Sequence, residues 1–143
     1  QMINDMVEGL AARLEAQPDD AEGWQRLGQS YAVLGKPVKS AQAYSRAADL
    51  LSDDVEAQSQ AAMAWVKATG RGQNLPHNVQ NYFERALALD PDSIDALFFL
   101  GEVARQREDG AAARTYWTRL LPLLPPDSEV RAFVTAQLDL LSR

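Results

Sequence analysis

The sequence of 143 residues contains no cysteine and a single histidine, His77. Without cysteine the chain forms no disulfide, no thiolate nucleophile and no cysteine-based metal site. One histidine leaves no Cys/His zinc constellation, and a Ser/His/Asp triad would have to use His77 itself. The absence of cysteine does not identify the cellular compartment, because a cysteine-free protein is stable in both oxidising and reducing surroundings. We therefore predict that the chain is not an enzyme and carries no cofactor and no metal.

The sequence also lacks any cluster of basic residues. Its 14 Lys and Arg residues are outnumbered by 20 Asp and Glu residues, which gives a net charge of -6. A surface of this sign repels phosphate backbones and anionic lipid headgroups. No apolar run approaches the ~18 residues that a membrane-spanning helix needs. The sequence thus predicts no nucleic-acid partner and no direct membrane contact by this segment.

Residues that favour β-structure are scarce, whereas alanine is abundant. Apolar residues make up 46% of the chain, but aromatic residues only 8%, and valine, isoleucine and threonine are few. This composition suits closely packed helices better than a β-sandwich, whose strands are enriched in β-branched and aromatic residues. At this length the chain is expected to form one domain.

A helical motif occurs twice in the same frame. The pattern W-x-x-L-G-x-x-Y covers residues 24–31, and L-x-x-L-G-x-x-A covers residues 97–104. Both match the first helix of the tetratricopeptide repeat (TPR), and aromatic and small residues follow where the second helix of that repeat places them. A third unit lies between them, but its two halves are separated by an extended turn, 70–77, in which glycine, asparagine and proline occur.

This frame predicts an all-α fold of eight helices, a TPR α-solenoid that winds as a right-handed superhelix. We expect an N-terminal half-repeat helix before the three units and a capping helix after them. The predicted segments are 1–18 for the N-terminal helix, 21–54, 55–93 and 94–127 for the repeats, and 128–143 for the capping helix.

Glycine in the middle of a predicted helix needs a packing reason. Gly28 and Gly101 each cost about 0.8–1 kcal/mol of helix propensity relative to alanine. Close approach of the paired helix supplies the reason, with large residues such as Tyr44 and Trp117 filling the space beside each glycine. The three tryptophans keep the repeat frame, so we predict that they lie in the core: Trp24, Trp65 and Trp117.

If the motif residues face the core, the opposite side of each first helix lines the concave face of the array. Phe98 is informative, because Leu97 and Leu100 already occupy the core side and leave Phe98 facing outward. The alternative is that Phe98 and Phe99 bury against a neighbouring helix. The predicted peptide-binding groove consists of Gln25, Gln29, Ala32, Ser59, Met63, Val66, Phe98, Phe99, Glu102 and Arg105.

Acidic residues share this face. Glu22, Glu56 and Asp95 could attract a basic ligand, but each lies in the first turn of its helix, where a negative charge also favours the helix dipole. The dipole accounts for them more simply. An amphipathic helix in the groove would then find polar walls near the first repeat and an apolar floor toward the third.

Two longer blocks resemble a known family. The first combines M-V-E-x-L-A-x-R-L over 6–14 with P-D-D-x-x-G-W-x-x-L-G-x-S-Y-x-x-L-G over 18–35. The second combines R-A-L-A-L-D-P-D over 85–92 with Y-W-x-x-L-L-x-L-L-P-P-D-S over 116–128. Both are similar to the periplasmic TPR domain of the bacterial cytochrome c maturation proteins CcmI, also called CycH, and the resemblance covers nearly the whole chain.

The resemblance implies a scaffold and holdase in cytochrome c maturation. Its partners would be the C-terminal helix of apocytochrome c and other maturation components, and the bound client would be presented to the haem ligation machinery. The implied location is the bacterial periplasm, with a tether to the inner membrane through an N-terminal segment absent from this chain. We expect the change Phe98→Ala to weaken client binding.

Three alternatives remain open at this point. The related NrfG-type subunit of nitrite reductase assembly shares the architecture, so the chain could be a haem lyase subunit of that kind. It could also be a periplasmic assembly scaffold of an unrelated pathway, or an enzyme or the regulatory domain of one.

Overall fold

The computed structural model describes residues 2–142 and contains eight α-helices within that range. This confirms the predicted all-α fold. Gln1 and Arg143, the outer ends of the predicted terminal segments, lie outside the described residues. The helices are α1 (Met2–Ala16), α2 (Ala21–Val33), α3 (Pro37–Leu50), α4 (Val55–Ala68), α5 (His77–Leu89), α6 (Ile94–Gln106), α7 (Gly110–Leu120) and α8 (Glu129–Leu141), with a short 3-10 turn at Leu121–Leu123.

Each helix packs mainly on the next helix along the chain. The tightest neighbours are α2 with α3, α3 with α4, α4 with α5, and α6 with α7. Such an array of sequential contacts is the arrangement expected of a solenoid, in which each unit touches only its neighbours. Among residues 2–142 there is no helix with the length and apolarity needed to span a membrane.

Short polar side chains begin the first helix of every repeat. Asp20 accepts a hydrogen bond from the Gly23 amide at 2.9 Å, and Asp54 accepts one from the Ala57 amide at 3.1 Å. Ser93 does the same for α6, as Ser128 does for α8. These bonds satisfy backbone donors that a helix N-terminus leaves without partners. Pro37 begins α3 without cost, because the first helical residue donates no intrahelical bond.

The two motif glycines lie against the aromatic residues predicted for them. A Cβ atom added at Gly28 would lie 2.7 Å from the Tyr44 ring. A Cβ atom at Gly101 would overlap the indole of Trp117, which is completely buried. The Trp117 indole nitrogen also donates to the Phe98 carbonyl at 3.1 Å, so the ring is held across α6. Close approach of paired helices therefore explains both glycines.

Two of the three tryptophans are buried in the core as predicted, and the third packs against the core while partly exposed. Trp24 and Trp117 are buried, whereas Trp65 is half-buried and donates its indole N–H to the Ser45 hydroxyl at 2.8 Å. In the middle repeat the frame position of Trp24 is held by Gln58, which is fully buried. Its side-chain amide donates to the carbonyls of Ala48 and Leu51 at 2.8 and 2.9 Å. A polar side chain thus links α4 to the end of α3.

The extended connection between the halves of the middle repeat covers 69–76. His77 is the first residue of α5 rather than part of this connection. Pro76 precedes it in an extended conformation, as the N-cap position requires. A hydrogen bond links this connection to the third repeat: the Leu75 amide donates to the side-chain oxygen of Gln106 at 2.8 Å.

We predict that Gly101→Ala destabilises the fold. Overlap with the rigid Trp117 ring outweighs the gain in helix propensity, so the free energy of unfolding should fall by about 2 kcal/mol. Gly9→Ala is the matched control, because no atom lies within 4 Å of the Cβ position at Gly9. That change in α1 should raise stability by up to about 1 kcal/mol. Urea unfolding followed by circular dichroism measures both, and equal effects would contradict the packing explanation.

Candidate docking groove

The first two repeats, together with Asp95 of the third, line the larger of two adjoining cavities. It has a volume of about 630 Å³ and lies between the end of α2, the first half of α3 and the length of α4. Small and apolar side chains form much of its surface, whereas Glu56, Lys67 and Asp95 are its charged members. Its lining residues are Ala32, Gly35, Pro37, Ser40, Tyr44, Glu56, Ser59, Gln60, Met63, Ala64, Lys67 and Asp95.

The second cavity continues the first toward the start of α2. It has a volume of about 430 Å³ and shares Tyr44, Glu56 and Gln60 with the larger one. Its surface is polar, and a side-chain hydrogen bond of 3.2 Å from Gln25 to Gln60 crosses from α2 to α4. The lining residues are Glu22, Gln25, Arg26, Gln29, Tyr44, Asp54, Glu56 and Gln60. The two cavities together are called the groove below.

Half of the ten predicted groove residues line these cavities. Ala32, Ser59 and Met63 line the larger cavity, while Gln25 and Gln29 line the smaller one. The other five line neither: Val66, Phe98, Phe99, Glu102 and Arg105. The structure thus brings together the three predicted residues of the first repeat and two of the three of the second, Val66 being the exception, and leaves the four of the third repeat apart.

The aromatic residues of the third repeat are engaged with their neighbours. Phe99 stacks on Phe83 with ring centroids 5.4 Å apart, and Phe98 meets Phe99 edge to face at 5.0 Å. On its other side Phe98 lies 5.9 Å from the ring of Phe133 in α8. Both Phe98 and Phe99 are half-buried. Burial against neighbouring helices, the alternative kept open above, therefore accounts for part of their surface, and the capping helix covers the position expected to be open.

The polar pair of the third repeat is satisfied within its own helix. The guanidinium of Arg105 donates to both carboxylate oxygens of Glu102, at 2.8 and 3.1 Å. Hydrogen bonding to Glu102 raises the pKa of Arg105, an effect that burial opposes. Because each group neutralises the other, this pair offers little net charge to a ligand.

The sequence-based frame missed the contribution of α3 to the groove. It assigned the groove to first helices alone, yet Pro37, Ser40 and Tyr44 line the larger cavity from α3. Ser40 is buried and donates its hydroxyl to the Gly28 carbonyl at 2.7 Å, which fixes the start of α3 against α2. The sequence did indicate this contribution through Tyr44. A Tyr44 ring that packs beside Gly28 lies on the side where α2 and α4 face each other.

The comparisons with known proteins point to one family. A family model described as the cytochrome c-type biogenesis protein H TPR domain matches residues 1–131. The cytochrome c-type biogenesis protein CycH of Pseudomonas aeruginosa is 32% identical over 132 residues, which cover 90% of this chain and 32% of that protein. CycH of Bradyrhizobium diazoefficiens is 31% identical, over 95% of this chain and 36% of that protein. The chain spans about a third of the length of these two relatives.

A shorter relative and a solved structure are also similar to the chain. The formate-dependent nitrite reductase complex subunit NrfG of Escherichia coli O157:H7 is 28% identical over 120 residues, which cover 84% of this chain and 60% of that protein. The crystal structure of MamA superposes with a TM-score of 0.69 at 17% identity, over 98% of this chain and 81% of that chain. At this identity the MamA likeness concerns the fold.

We predict that the tyrosines make the fold sensitive to alkali. Burial raises the pKa of Tyr44, and it is also the largest cause that raises the pKa of Tyr31, Tyr82 and Tyr116 above 10.0. The folded state then retains phenolic protons that the unfolded state releases, so the stabilisation is complete below pH 10 and is lost as the pH rises through the folded-state pKa values.

Absorbance titration at the phenolate band should therefore give a higher midpoint for the folded chain than for the chain in urea. In Tyr44→Phe the late-titrating signal should fall by the share of one among four tyrosines. Coincident titrations in the two states would contradict the prediction.

Proposed function

Because the chain belongs to the family of cytochrome c-type biogenesis protein H TPR domains, we propose that its groove binds the C-terminal helix of an apocytochrome c. In this proposal the domain holds the client and presents it to the haem ligation machinery without performing chemistry itself. The location proposed is the bacterial periplasm, with other maturation components as further partners. The membrane tether would belong to a part of the protein outside this chain.

The larger cavity is the observation that carries this proposal. A helix laid across the array needs an apolar floor for its buried face and room for its backbone to approach. The small residues Ala32, Gly35 and Ala64 line the cavity and leave room for a ligand backbone to approach. Met63 lies among them and is half-buried, and its flexible thioether side chain adapts to ligands of different shape. These features suit a scaffold that accepts the helices of several related clients.

One relative favours a second candidate. NrfG is matched over a larger share of its own length than either CycH protein. A subunit of a nitrite reductase complex, acting in assembly of that enzyme, is therefore the alternative function. Peptides from the C-termini of an apocytochrome c and of the catalytic subunit of a formate-dependent nitrite reductase, compared by calorimetry, separate the two. The tighter ligand identifies the function.

We predict that Met63→Gln weakens binding of the apocytochrome peptide about tenfold, because a polar amide would replace apolar contact on the cavity floor. The control is Leu50→Gln, which changes an exposed apolar residue of α3 that lines neither cavity of the groove. Isothermal titration calorimetry measures both variants against the unaltered chain. The proposal would be refuted if the unaltered chain bound neither the cytochrome peptide nor the nitrite reductase peptide.

The variant Phe98→Ala tests where the client lies. Since Phe98 packs on the buried core around Trp117 and Leu120 and also on Phe133, its loss should lower the free energy of unfolding by about 1–3 kcal/mol. We expect it to weaken peptide binding less than Met63→Gln does, because Phe98 lines neither cavity of the groove. If Phe98→Ala weakens binding more than Met63→Gln does, the client lies on the third repeat instead.

A further inference from the structure

The groove carries an excess of negative charge along one side. Its two cavities are lined by four carboxylates, Glu22, Asp54, Glu56 and Asp95, but by only two basic side chains, Arg26 and Lys67. Glu22, Glu56 and Asp95 hold the same frame position in α2, α4 and α6, so they form a row that crosses the array from one repeat to the next.

These three carboxylates are not used by the fold. All three are exposed, and the salt bridges found within residues 2–142 involve other groups, namely Arg46 with Glu15, Arg85 with Asp49 and Arg105 with Glu102. Helix capping does not use them either. The side chains of Asp20, Asp54 and Ser93, which precede the three helices, accept the first-turn amide hydrogens.

The helix dipole alone does not account for these three carboxylates. A carboxylate in the first turn is favoured by the helix dipole whether or not it also contacts a ligand. Since capping is already supplied by the preceding residue, these charges remain available in the groove. Glu22 lines the smaller, polar cavity, and Glu56 and Asp95 line the larger, mostly apolar one. Beside such a low-dielectric surface a fixed charge acts on a ligand more strongly than in open water.

We propose that the groove selects an amphipathic helix that carries lysine or arginine along one polar edge. The apolar face of the ligand would lie on Met63 and Ala32, and its basic edge would face the row Glu22, Glu56 and Asp95. The occupant is a segment of another protein, chosen by charge as well as by apolar fit. This inference rests on the proposed function, because it assigns the sign of charge required of the client helix.

Three synthetic helical peptides provide the test. They share one apolar face and differ only along one polar edge, which carries lysine, glutamine or glutamate. Fluorescence anisotropy should show that the lysine peptide binds about tenfold more tightly than the glutamine peptide at low ionic strength, and the glutamate peptide most weakly. Raising the salt concentration should compress these differences, because ions screen exposed charges.

Variants identify the responsible side chains. Glu56→Lys should abolish the preference for the lysine peptide and improve binding of the glutamate peptide, and Glu56→Gln should reduce the preference without introducing a new charge. Glu84→Lys on α5 makes the same change in net charge away from the groove, and it should leave the order of the three peptides unchanged. Circular dichroism melting confirms that each variant is folded.

The outcomes separate this inference from the proposed function. If an apocytochrome C-terminal peptide binds but the three synthetic peptides bind equally, the charge selection is overturned and the proposed function stands. The charge selection is likewise overturned if Glu84→Lys alters the order of the peptides as much as Glu56→Lys does. If the apocytochrome peptide does not bind while the lysine peptide does, the charge selection stands and the client assignment fails.

Discussion

The close contact between a glycine of one helix and an aromatic ring of the next determines the geometry of the array. Tyr44 lies on Gly28 and Trp117 lies on Gly101, and neither ring could keep its place if the glycine carried a side chain. This contact sets how closely α2 approaches α3 and α6 approaches α7. Because the ring of Tyr44 also lines the groove, the same contact that joins the first helix pair shapes the surface offered to a ligand.

The fold could be predicted from the sequence because it depends on spacing. Glycine, tryptophan and leucine at fixed intervals indicate one helix face, and the caps before each first helix mark its start. The middle repeat was harder to predict at the position of Gln58, since a polar residue fulfils there the role that Trp24 and Leu97 fulfil elsewhere. Its hydrogen bonds to the end of α3 depend on tertiary position, which a periodic pattern does not contain.

The groove was predicted correctly for the first repeat and for most of the second, but not for the third. The frame placed Gln25, Gln29, Ala32, Ser59 and Met63 on a shared surface, as the structure does. For the third repeat the next helix is α8, and Phe133 of that helix lies against Phe98. A sequence frame gives the direction of a side chain relative to its own helix, but not how far a terminal helix will cover it.

The buried hydrogen bonds of Gln58 also bear on the order in which the array can assemble. Its partners, Ala48 and Leu51, are ten and seven residues away along the chain, so the link closes only a short loop. Closing a short loop costs little conformational entropy, and contacts of this kind can form early in folding. The joint between the first and second repeats is therefore closed by local contacts, and the part of the groove that spans it does not depend on pairing between distant parts of the chain.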